Sequence, residues 1–274
     1  MNKDINDIEF VIFDTETTGL EPRAGDRIVE IAAVRFKGKE KIASFQSLVN
    51  PKREISEAAF RVNNITPEML EAAPLMEEVI PKFLDFIQGS CLCSYNAGFD
   101  MGFLNNELKL LGKNELEGIV VADILKMAKR LLPGMQRYAL WFVANRLGVR
   151  QQQEHRALSD VEMTLDVFYR LKEILEAKGI IDFHNFSGLF AIDPLFLENI
   201  HAQKINQIQK AIDLRAKLKI KYLSSAGAEV SEREVVPSQI KQENGRNLYL
   251  IGFCSLRNEE RTFRIDGILH LEIV

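Results

Sequence analysis

The sequence predicts an α/β domain followed by a small, mostly β domain, and three observations carry this prediction. Strand-like apolar runs fill the first fifty residues. Amphipathic helical segments then alternate with a short strand up to residue 177, as in a layered domain. Four further β-like runs fill residues 217–274. We therefore expect a mixed sheet flanked by helices over residues 1–178, a linker over 179–204 and a second domain over 205–274.

The first three strands are predicted from runs of β-branched and apolar residues. These runs cover residues 10–13, 27–36 and 42–49. The last two are joined by the short turn Lys37-Gly38-Lys39. Because parallel strands need a long crossover connection, such tight connections predict antiparallel neighbours.

The helices are predicted from their caps and from apolar residues at helical spacing. Thr66 followed by Pro67 is a good N-cap with proline at the first helical position. Four further helices are predicted over residues 79–87, 99–111, 138–147 and 158–177, from apolar residues at helical spacing or from a glycine that follows the segment. A short strand covers residues 91–95. Residues 179–201 lack a clear period but are too apolar to stay solvated, so we expect them to pack against the folded part.

Composition limits the classes of function. No apolar run approaches the roughly 18 residues of a membrane helix, and the N-terminus does not resemble a signal peptide. Cys91, Cys93 and Cys254 lack zinc-site spacing, which favours buried free thiols and a cytoplasmic location. The net charge of −4 argues against broad attraction to phosphate backbones. An acidic protein that handles nucleic acid would therefore need bound cations to neutralise its carboxylates.

Carboxylates occur at a strand end and at two helix starts. Asp14 and Glu16 fall on one side of an extended strand end, roughly 7 Å apart. Alone, this doublet is more typical of a polar turn. Asp100 and Asp160 each lie near a helix start, where a negative charge is favourable in any protein. His155 alone would be read as a surface loop residue.

Taken together, these three segments resemble the DEDDh exonuclease family, which includes bacterial DNA polymerase III proofreading exonucleases and related RNases. The first family motif, Asp-x-Glu-Thr-Thr-Gly, is met in full over residues 14–19. The third motif is met by His155 and Asp160. The second motif is matched at Asn96, Ala97, Phe99 and Asp100. The resemblance covers about residues 7–175, and three ordered motifs make it specific.

Two departures from the family pattern touch no predicted metal ligand. Asn64 stands where glycine is common in an "x-Gly-Ile-Thr" segment, and Tyr95 stands where a histidine often precedes the asparagine. The resemblance implies an RNase H-like fold. It further implies that Asp14, Glu16, Asp100 and Asp160 bind two Mg²⁺ or Mn²⁺ ions, since all-oxygen ligand sets favour these metals.

The resemblance also assigns roles around this centre. His155 is expected to be the general base for the attacking water, because its ordinary pKa lies near neutrality. Contacts with the 3′-terminal nucleotide are expected from Thr17, Leu20, Ile65, Asn96 and Phe103. For Leu20, Ile65 and Phe103, ordinary core packing is an equally good explanation.

In the last seventy residues, the segments 220–222, 233–237, 247–250 and 261–268 carry a similarity to the WYL domain, a small β-barrel-like (SH3-like) module of bacterial regulators. Leu248 replaces the tryptophan that names the family, and Gly267 replaces an arginine usual in its last motif. Arg233, Arg261 and Arg264 are candidates for a phosphate-bearing ligand. Alternation along a strand places Arg261 and Arg264 on opposite sides, which argues against convergence of all three.

The sequence therefore predicts a metal-dependent 3′–5′ exonuclease that acts on single-stranded nucleic acid, DNA more than RNA, and releases nucleoside 5′-monophosphates. Two alternatives stay open: an RNase or oligonucleotide exonuclease of RNA turnover, and a nucleic-acid-binding regulatory protein with a vestigial nuclease fold. The sequence does not decide the role of the WYL-like domain, polymerase association or oligomeric state.

Overall fold

The first sheet is mixed, with its longest strands on the antiparallel side. The computed structural model describes residues 3–149, 156–243 and 247–274. The strands of this sheet are β1 (Glu9–Thr17), β2 (Ile28–Lys37), β3 (Glu40–Leu48), β4 (Cys91–Ser94) and β5 (Val121–Asp123). Their order is β3-β2-β1-β4-β5. β1, β2 and β3 pair antiparallel, as predicted, while β4 and β5 run parallel to β1.

β1 is the central strand and is buried on both faces. Phe10 and Ile12 belong to one hydrophobic cluster, whereas Val11 and Phe13 belong to a second cluster on the other side. This follows from the alternation of side chains along a strand. The polar end of β1, which begins at Asp14, therefore emerges between two packed layers.

In the described part of the first domain, seven helices accompany this sheet, and five of them pack on its two faces. They are α1 (Glu57–Asn63), α2 (Pro67–Glu71), α3 (Met76–Ile87), α4 (Ala97–Leu110), α5 (Ile124–Leu131), α6 (Leu140–Arg146) and α7 (Ala157–Ala177). Buried residues of α3 and α4 join the cluster around Phe13, while those of α5, α6 and α7 join the cluster around Phe10. The helices predicted from apolar spacing are present. α1 and α5 were not predicted, although Ser56 and Asp123 cap their first turns.

The segment 179–204, predicted as a linker that packs against the protein, is largely helical. It holds α8 (Phe183–Phe190) and the first half of α9 (Pro194–Leu214). Asp182 and Asp193 cap these two helices by accepting hydrogen bonds from backbone N–H groups. α8 packs into the first domain, and the end of α9 packs beneath the second sheet.

The second sheet is antiparallel throughout. It contains β6 (Leu218–Leu223), β7 (Val230–Glu243), β8 (Asn247–Cys254), β9 (Glu259–Arg264) and β10 (Ile268–Ile273), in the order β10-β6-β7-β8-β9. Its core includes Ile220, Val235, Leu250 and Phe263, together with Ile208 of α9. The three cysteines are buried free thiols. Among the described residues, no helix has the length and apolar character to cross a membrane.

Buried cations of two helices bind backbone carbonyls of the second sheet, and one of them comes from the first domain. Arg130 of α5 donates a hydrogen bond from Nη2 to the Leu223 carbonyl of β6 at 2.9 Å. Lys204 of α9 donates from Nζ to the Ile268 carbonyl at 2.5 Å. A Cβ atom on Gly267 would stand only 2.5 Å from Nη2 of Arg130. Glycine at this position, where the family usually has arginine, therefore leaves room for an arginine of the first domain.

Candidate active site

Three of the four predicted metal ligands share one site. Asp14, Glu16 and Asp160 each offer a carboxylate oxygen, and these oxygens all lie within 4.8 Å of one another. β1 supplies the first two on the same side of its end, and the first turn of α7 supplies the third. Residues as far as 146 positions apart in sequence, Asp14 and Asp160, therefore belong to one acidic cluster.

The fourth predicted ligand, Asp100, lies beside this cluster and is held by hydrogen bonds. Its Oδ1 accepts from the Thr15 backbone N–H at 3.0 Å and from the Thr15 hydroxyl at 2.7 Å. Its Oδ2 accepts from the Ser94 hydroxyl. These bonds fix a buried carboxylate of α4 against the strand that carries Asp14 and Glu16.

The carboxylates repel one another in the absence of a cation. Burial, and then the charges of Asp100 and Glu16, raise the pKa of Asp14 well above its ordinary value. Burial and the nearby Asp160 and Glu30 raise the pKa of Glu16 to about 8, although a hydrogen bond with Asn63 opposes the rise. Burial raises the pKa of Asp100 to about 6, against the effect of its hydrogen bonds. An all-oxygen set whose members resist ionisation together fits hard divalent cations, which relieve both burial and repulsion.

A further buried carboxylate, Glu30 of β2, anchors the start of α7. Its side chain has no exposed surface and accepts hydrogen bonds from Nε and Nη2 of Arg156 at 3.0 and 2.8 Å. The backbone N–H of Ala157 and the amide of Gln46 also donate to it. Arg156 lowers the pKa of Glu30 against the effect of burial. Glu30 therefore fixes the helix turn that carries Asp160.

The carboxylates open into a cleft of about 580 Å³. Asp14 and Asp160 lie in its wall, opposite residues of α5 and of the segment before α6. The lining comprises Asp14, Tyr95, Asn96, Leu125, Lys129, Tyr138, Ala139, Leu140 and Asp160. Tyr95 donates a hydrogen bond to the Tyr138 carbonyl. The position at which the family often has histidine is thus filled by a residue that braces the cleft wall.

The predicted substrate contacts fall into two groups. Asn96 is exposed in the cleft, and Leu20 is 75% exposed beyond the end of β1. Thr17 is buried, and its hydroxyl donates to the Gly19 carbonyl at 2.6 Å. Ile65 and Phe103 have no exposed surface and belong to hydrophobic clusters. In this structure these last two residues are core residues, so their contact with substrate remains a prediction.

Two polar residues next to Ile65 connect its loop to the cluster. Asn63 is buried, hydrogen-bonds Glu16 with its side chain and accepts from the Ile65 N–H at 3.1 Å. Asn64 has a φ of 54°, the left-handed region that favours glycine, which explains the preference of the family at this position. Asn63, the last residue of α1, therefore helps to orient Glu16.

The predicted general base, His155, lies outside the described residues. The sequence places it directly before Arg156, whose side chain binds Glu30. Its role as a base remains a prediction. Reasoning from sequence missed the residues that support the ligands, namely Thr15, Ser94 and Glu30. Thr15 lies inside the first motif, but nothing in the sequence indicated that its hydroxyl faces Asp100.

The predicted arginines of the second domain separate between two cavities. Arg233 and Arg261 line one of about 370 Å³, together with Arg257, which was not predicted. Arg264 lies instead in a cavity of about 430 Å³ between the domains. There it forms a two-bond pair with Asp266. Arg261 and Arg264 thus lie in different cavities, in line with the alternation along β9.

Comparison with protein families gives two matches that divide the chain as the fold does. Residues 11–168, more than half of the chain, match the "Exonuclease" family model. Residues 203–273 match the WYL domain model.

Curated relatives are much longer proteins. The "DNA polymerase III PolC-type" of Thermotoga maritima is 33% identical over 270 residues, which is 97% of this chain but 19% of that protein. The corresponding protein of Caldanaerobacter subterraneus subsp. tengcongensis is 38% identical over 63% of this chain and 12% of its own length. The chain thus spans less than a fifth of these two relatives.

Solved structures agree on the fold. Exonuclease X in complex with 5′ overhanging duplex DNA is 29% identical, with a TM-score of 0.50 over 62% of this chain and 93% of its own. A structure of exonuclease I aligns with 96% of this chain and 64% of its own at a TM-score of 0.59, with 16% identity. The family match, the order of the motifs and the carboxylate geometry agree, and the chain belongs to the exonuclease family, with a WYL domain at its C-terminal end.

Proposed function

We propose that this chain is a metal-dependent 3′–5′ exonuclease that removes nucleoside 5′-monophosphates from single-stranded nucleic acid, with DNA preferred to RNA. The convergence of Asp14, Glu16 and Asp160, with Asp100 fixed beside them, carries the proposal. Phosphodiester hydrolysis needs an activated water and a stabilised leaving oxygen. Two divalent ions, Mg²⁺ or Mn²⁺, supply both functions when bound at such a site.

The roles of the protein groups follow from their placement. Asp14, Glu16 and Asp160 would hold the ions, and Asp100 would join them from a position fixed by Thr15 and Ser94. Asn96, which is exposed in the cleft, and Leu20, which is exposed beyond the end of β1, would contact the terminal nucleotide, as the family resemblance implies. His155 would accept the proton of the attacking water, as the family resemblance implies.

The relatives favour nucleic acid, and DNA in particular, as the substrate. Two curated relatives are named as DNA polymerases, and exonuclease X was solved with DNA. We therefore place this activity in DNA replication or repair, in the cytoplasm, where the buried thiols stay reduced. RNA turnover is the second candidate, because another neighbour of the fold recognises a histone mRNA stem-loop.

The decisive experiment follows the products from 5′-labelled DNA and RNA strands of one sequence, incubated with Mg²⁺, Mn²⁺ or EDTA. We expect a ladder shortened from the 3′ end in metal only, formed faster on DNA. Asp14→Asn should lower the rate of hydrolysis by at least about 100-fold. Replacing a residue that only supports a metal ligand lowers activity by about 10–100-fold, and replacing the ligand itself should lower it further.

The same variant controls for folding. Asp14→Asn removes a carboxyl group whose pKa is raised by burial and by its acidic neighbours, so the thermal unfolding temperature of the variant in EDTA should equal or exceed that of the wild type. Retarded mobility of the strands without shortening in either metal would instead support a binding protein with a vestigial nuclease site.

A further inference from the structure

Three cavities of the molecule adjoin one another in series. The active-site cleft and the interdomain cavity share Asn96, Leu125 and Lys129 as lining residues. The interdomain cavity and the cavity of the second domain share Ser225. These shared residues make the three cavities neighbours in a row, called the path below, that runs from the carboxylates, across the domain boundary, to the arginines of the second sheet.

This path changes from acidic to basic at the domain boundary. The interdomain cavity is lined by four cations and two carboxylates, namely Lys126, Lys129, Arg130, Arg264, Asp123 and Asp266. The cavity of the second domain adds Arg233, Arg257 and Arg261 against one carboxylate, Glu229. The whole chain has a net charge of −4. The seven cations along this path are thus a local concentration against the overall sign of the protein.

Some of these cations are held in place by partners. Arg264 pairs with Asp266, whose pKa is lowered by Arg264, Arg130 and Lys126 against the effect of burial. Lys126 donates a hydrogen bond from Nζ to the Ala191 carbonyl at 3.1 Å. These side chains give the path a fixed positive wall.

Other cations have unused capacity to bind an anion. Lys129 is exposed, and within the described residues its side chain has no hydrogen-bond or ion-pair partner. Nε of Arg130 and Nη1 of Arg233 are buried atoms that likewise lack a hydrogen-bond partner in the described part of the chain. Guanidinium and ammonium donors of this kind are suited to phosphate oxygens. They occur at the start, the middle and the end of the path.

We propose that the path is the binding track for the phosphates of the substrate strand on the 5′ side of the terminal nucleotide. The strand would pass from the cleft over Lys129, through the interdomain cavity and past Ser225 to Arg261. This inference rests on the proposed function, because it needs a 3′ end in the cleft. It gives the second domain a role in substrate binding.

The experiment measures KM against strand length for three charge reversals placed along the path. Lys129→Glu lies nearest to the cleft, Ser225→Glu at the boundary and Arg261→Glu in the last cavity; all three side chains are exposed. The substrates are oligothymidylates of increasing length and the p-nitrophenyl ester of thymidine 5′-monophosphate, which is too short to leave the cleft. The quantity compared is the KM for a strand divided by the KM for the ester. For long strands, each variant should raise this ratio by about tenfold, which is equivalent to about 1.4 kcal/mol of binding free energy.

The length at which the effect appears should follow the position of the variant. Lys129→Glu should weaken the binding of short strands as well as long ones, whereas Arg261→Glu should weaken the binding of longer strands only. Anisotropy of a labelled long strand in EDTA measures binding without hydrolysis. For each lost phosphate contact, the slope of log affinity against log salt concentration should fall by about 0.7. The matched control is Lys82→Glu, an exposed lysine of α3, which packs at the β3 end of the first sheet.

The outcomes separate the two proposals. If the wild type hydrolyses the ester and the strands, but all three variants match Lys82→Glu in length dependence and salt slope, the strand leaves the cleft by another route and the track is wrong. If the wild type hydrolyses neither substrate in any metal, the proposed function fails. Unequal binding of the variants would then still support a nucleic-acid track.

Discussion

The acidic cluster of the first domain and the exposed arginine Arg261 of the second domain are built in opposite ways. In the first domain, Glu30 and Asp100 are buried and bound by partners distant in sequence, Arg156 and Thr15. In the second domain, Arg261 is exposed and pairs with Glu259, two residues away on the same strand. The first arrangement fixes each carboxylate in one position, whereas the second leaves its cations accessible to solvent.

This difference matches what each domain has to do in the proposed function. A catalytic cluster gains from groups held in place before the substrate arrives, because no reorganisation is then needed during the reaction. A track for strands of any sequence gains from accessible cations that neutralise phosphates without reading bases. Substitutions in the two domains should therefore have different consequences for stability.

The largest difference in the free energy of unfolding is expected between two substitutions of arginine by alanine. Arg156→Ala leaves Glu30 buried with only Gln46 and the Ala157 N–H as donors. Removing one partner of a buried pair costs about 3–5 kcal/mol, and we expect about 3 because water can reach the partly exposed Arg156 position. Arg261→Ala removes an exposed pair and should change the free energy of unfolding by less than about 0.5 kcal/mol. Urea unfolding of both variants measures the difference.

A second substitution tests the cause. If the loss in Arg156→Ala comes from an unpaired buried charge, adding Glu30→Gln should recover part of it, as a double-mutant cycle would show. Equal stabilities of the single and double variants would mean that Glu30 is not the reason. The rate of hydrolysis should also fall in Arg156→Ala, since the same pair fixes the helix turn of Asp160.

The two domains were also unequally predictable from sequence. Asp14, Glu16, Asp100 and Asp160 were named as ligands from the resemblance to the exonuclease family, whose short motifs occur in the same order along this chain, and their role as ligands stays a prediction. The residues that support those ligands, such as Ser94 and Glu30, could not be predicted in this way. Their role depends on which distant side chain they contact in the fold, and no local sequence pattern carries that information. The basic path is harder still, because Lys129 of a helix and Ser225 of a loop share a cavity only after the domains pack together.

Gly267 illustrates this limit and gives an intermediate prediction. From sequence it was only a missing arginine, whereas the structure shows Arg130 of the first domain against it. A Cβ at this position would also stand 2.9 Å from the Leu223 carbonyl oxygen, which belongs to β6 and has little room to move. Gly267→Ala should therefore lower the free energy of unfolding by about 1–3 kcal/mol, the usual cost of overpacking.

Another glycine of the same domain provides the control. A Cβ on Gly227 would meet no atom closer than 3.7 Å, so Gly227→Ala should be close to neutral. Urea unfolding compares the two variants. Equal stabilities would show that the boundary between the domains adapts to an added methyl group, and that Arg130 is not held tightly at this point.

The smallest expected effect is the pH dependence of stability in metal-free protein. The pKa of Glu16 is raised by burial and by neighbouring carboxylates to about 8, so the folded state holds a proton that the unfolded state has lost. Its contribution to stability is full below the unfolded pKa, near 4.5, and is lost as the pH rises through about 8. Asp266 of the second domain has the opposite sign, because its lowered pKa stabilises the fold at every pH above its ordinary range.

The measurement compares unfolding temperatures at about pH 7 and pH 8. Burial lowers the pKa of His201 to about 4, so this histidine affects the pH dependence of stability only below about pH 7. In EDTA, the unfolding temperature should fall from pH 7 to pH 8, and Glu16→Gln should remove most of this fall. Mg²⁺ should raise the unfolding temperature more at pH 8, where the carboxylates are ionised and bind the cation more tightly. A flat or rising profile in EDTA, or equal protection by Mg²⁺ at both values, would show that the cluster does not carry the mutual repulsion on which its affinity for metal depends.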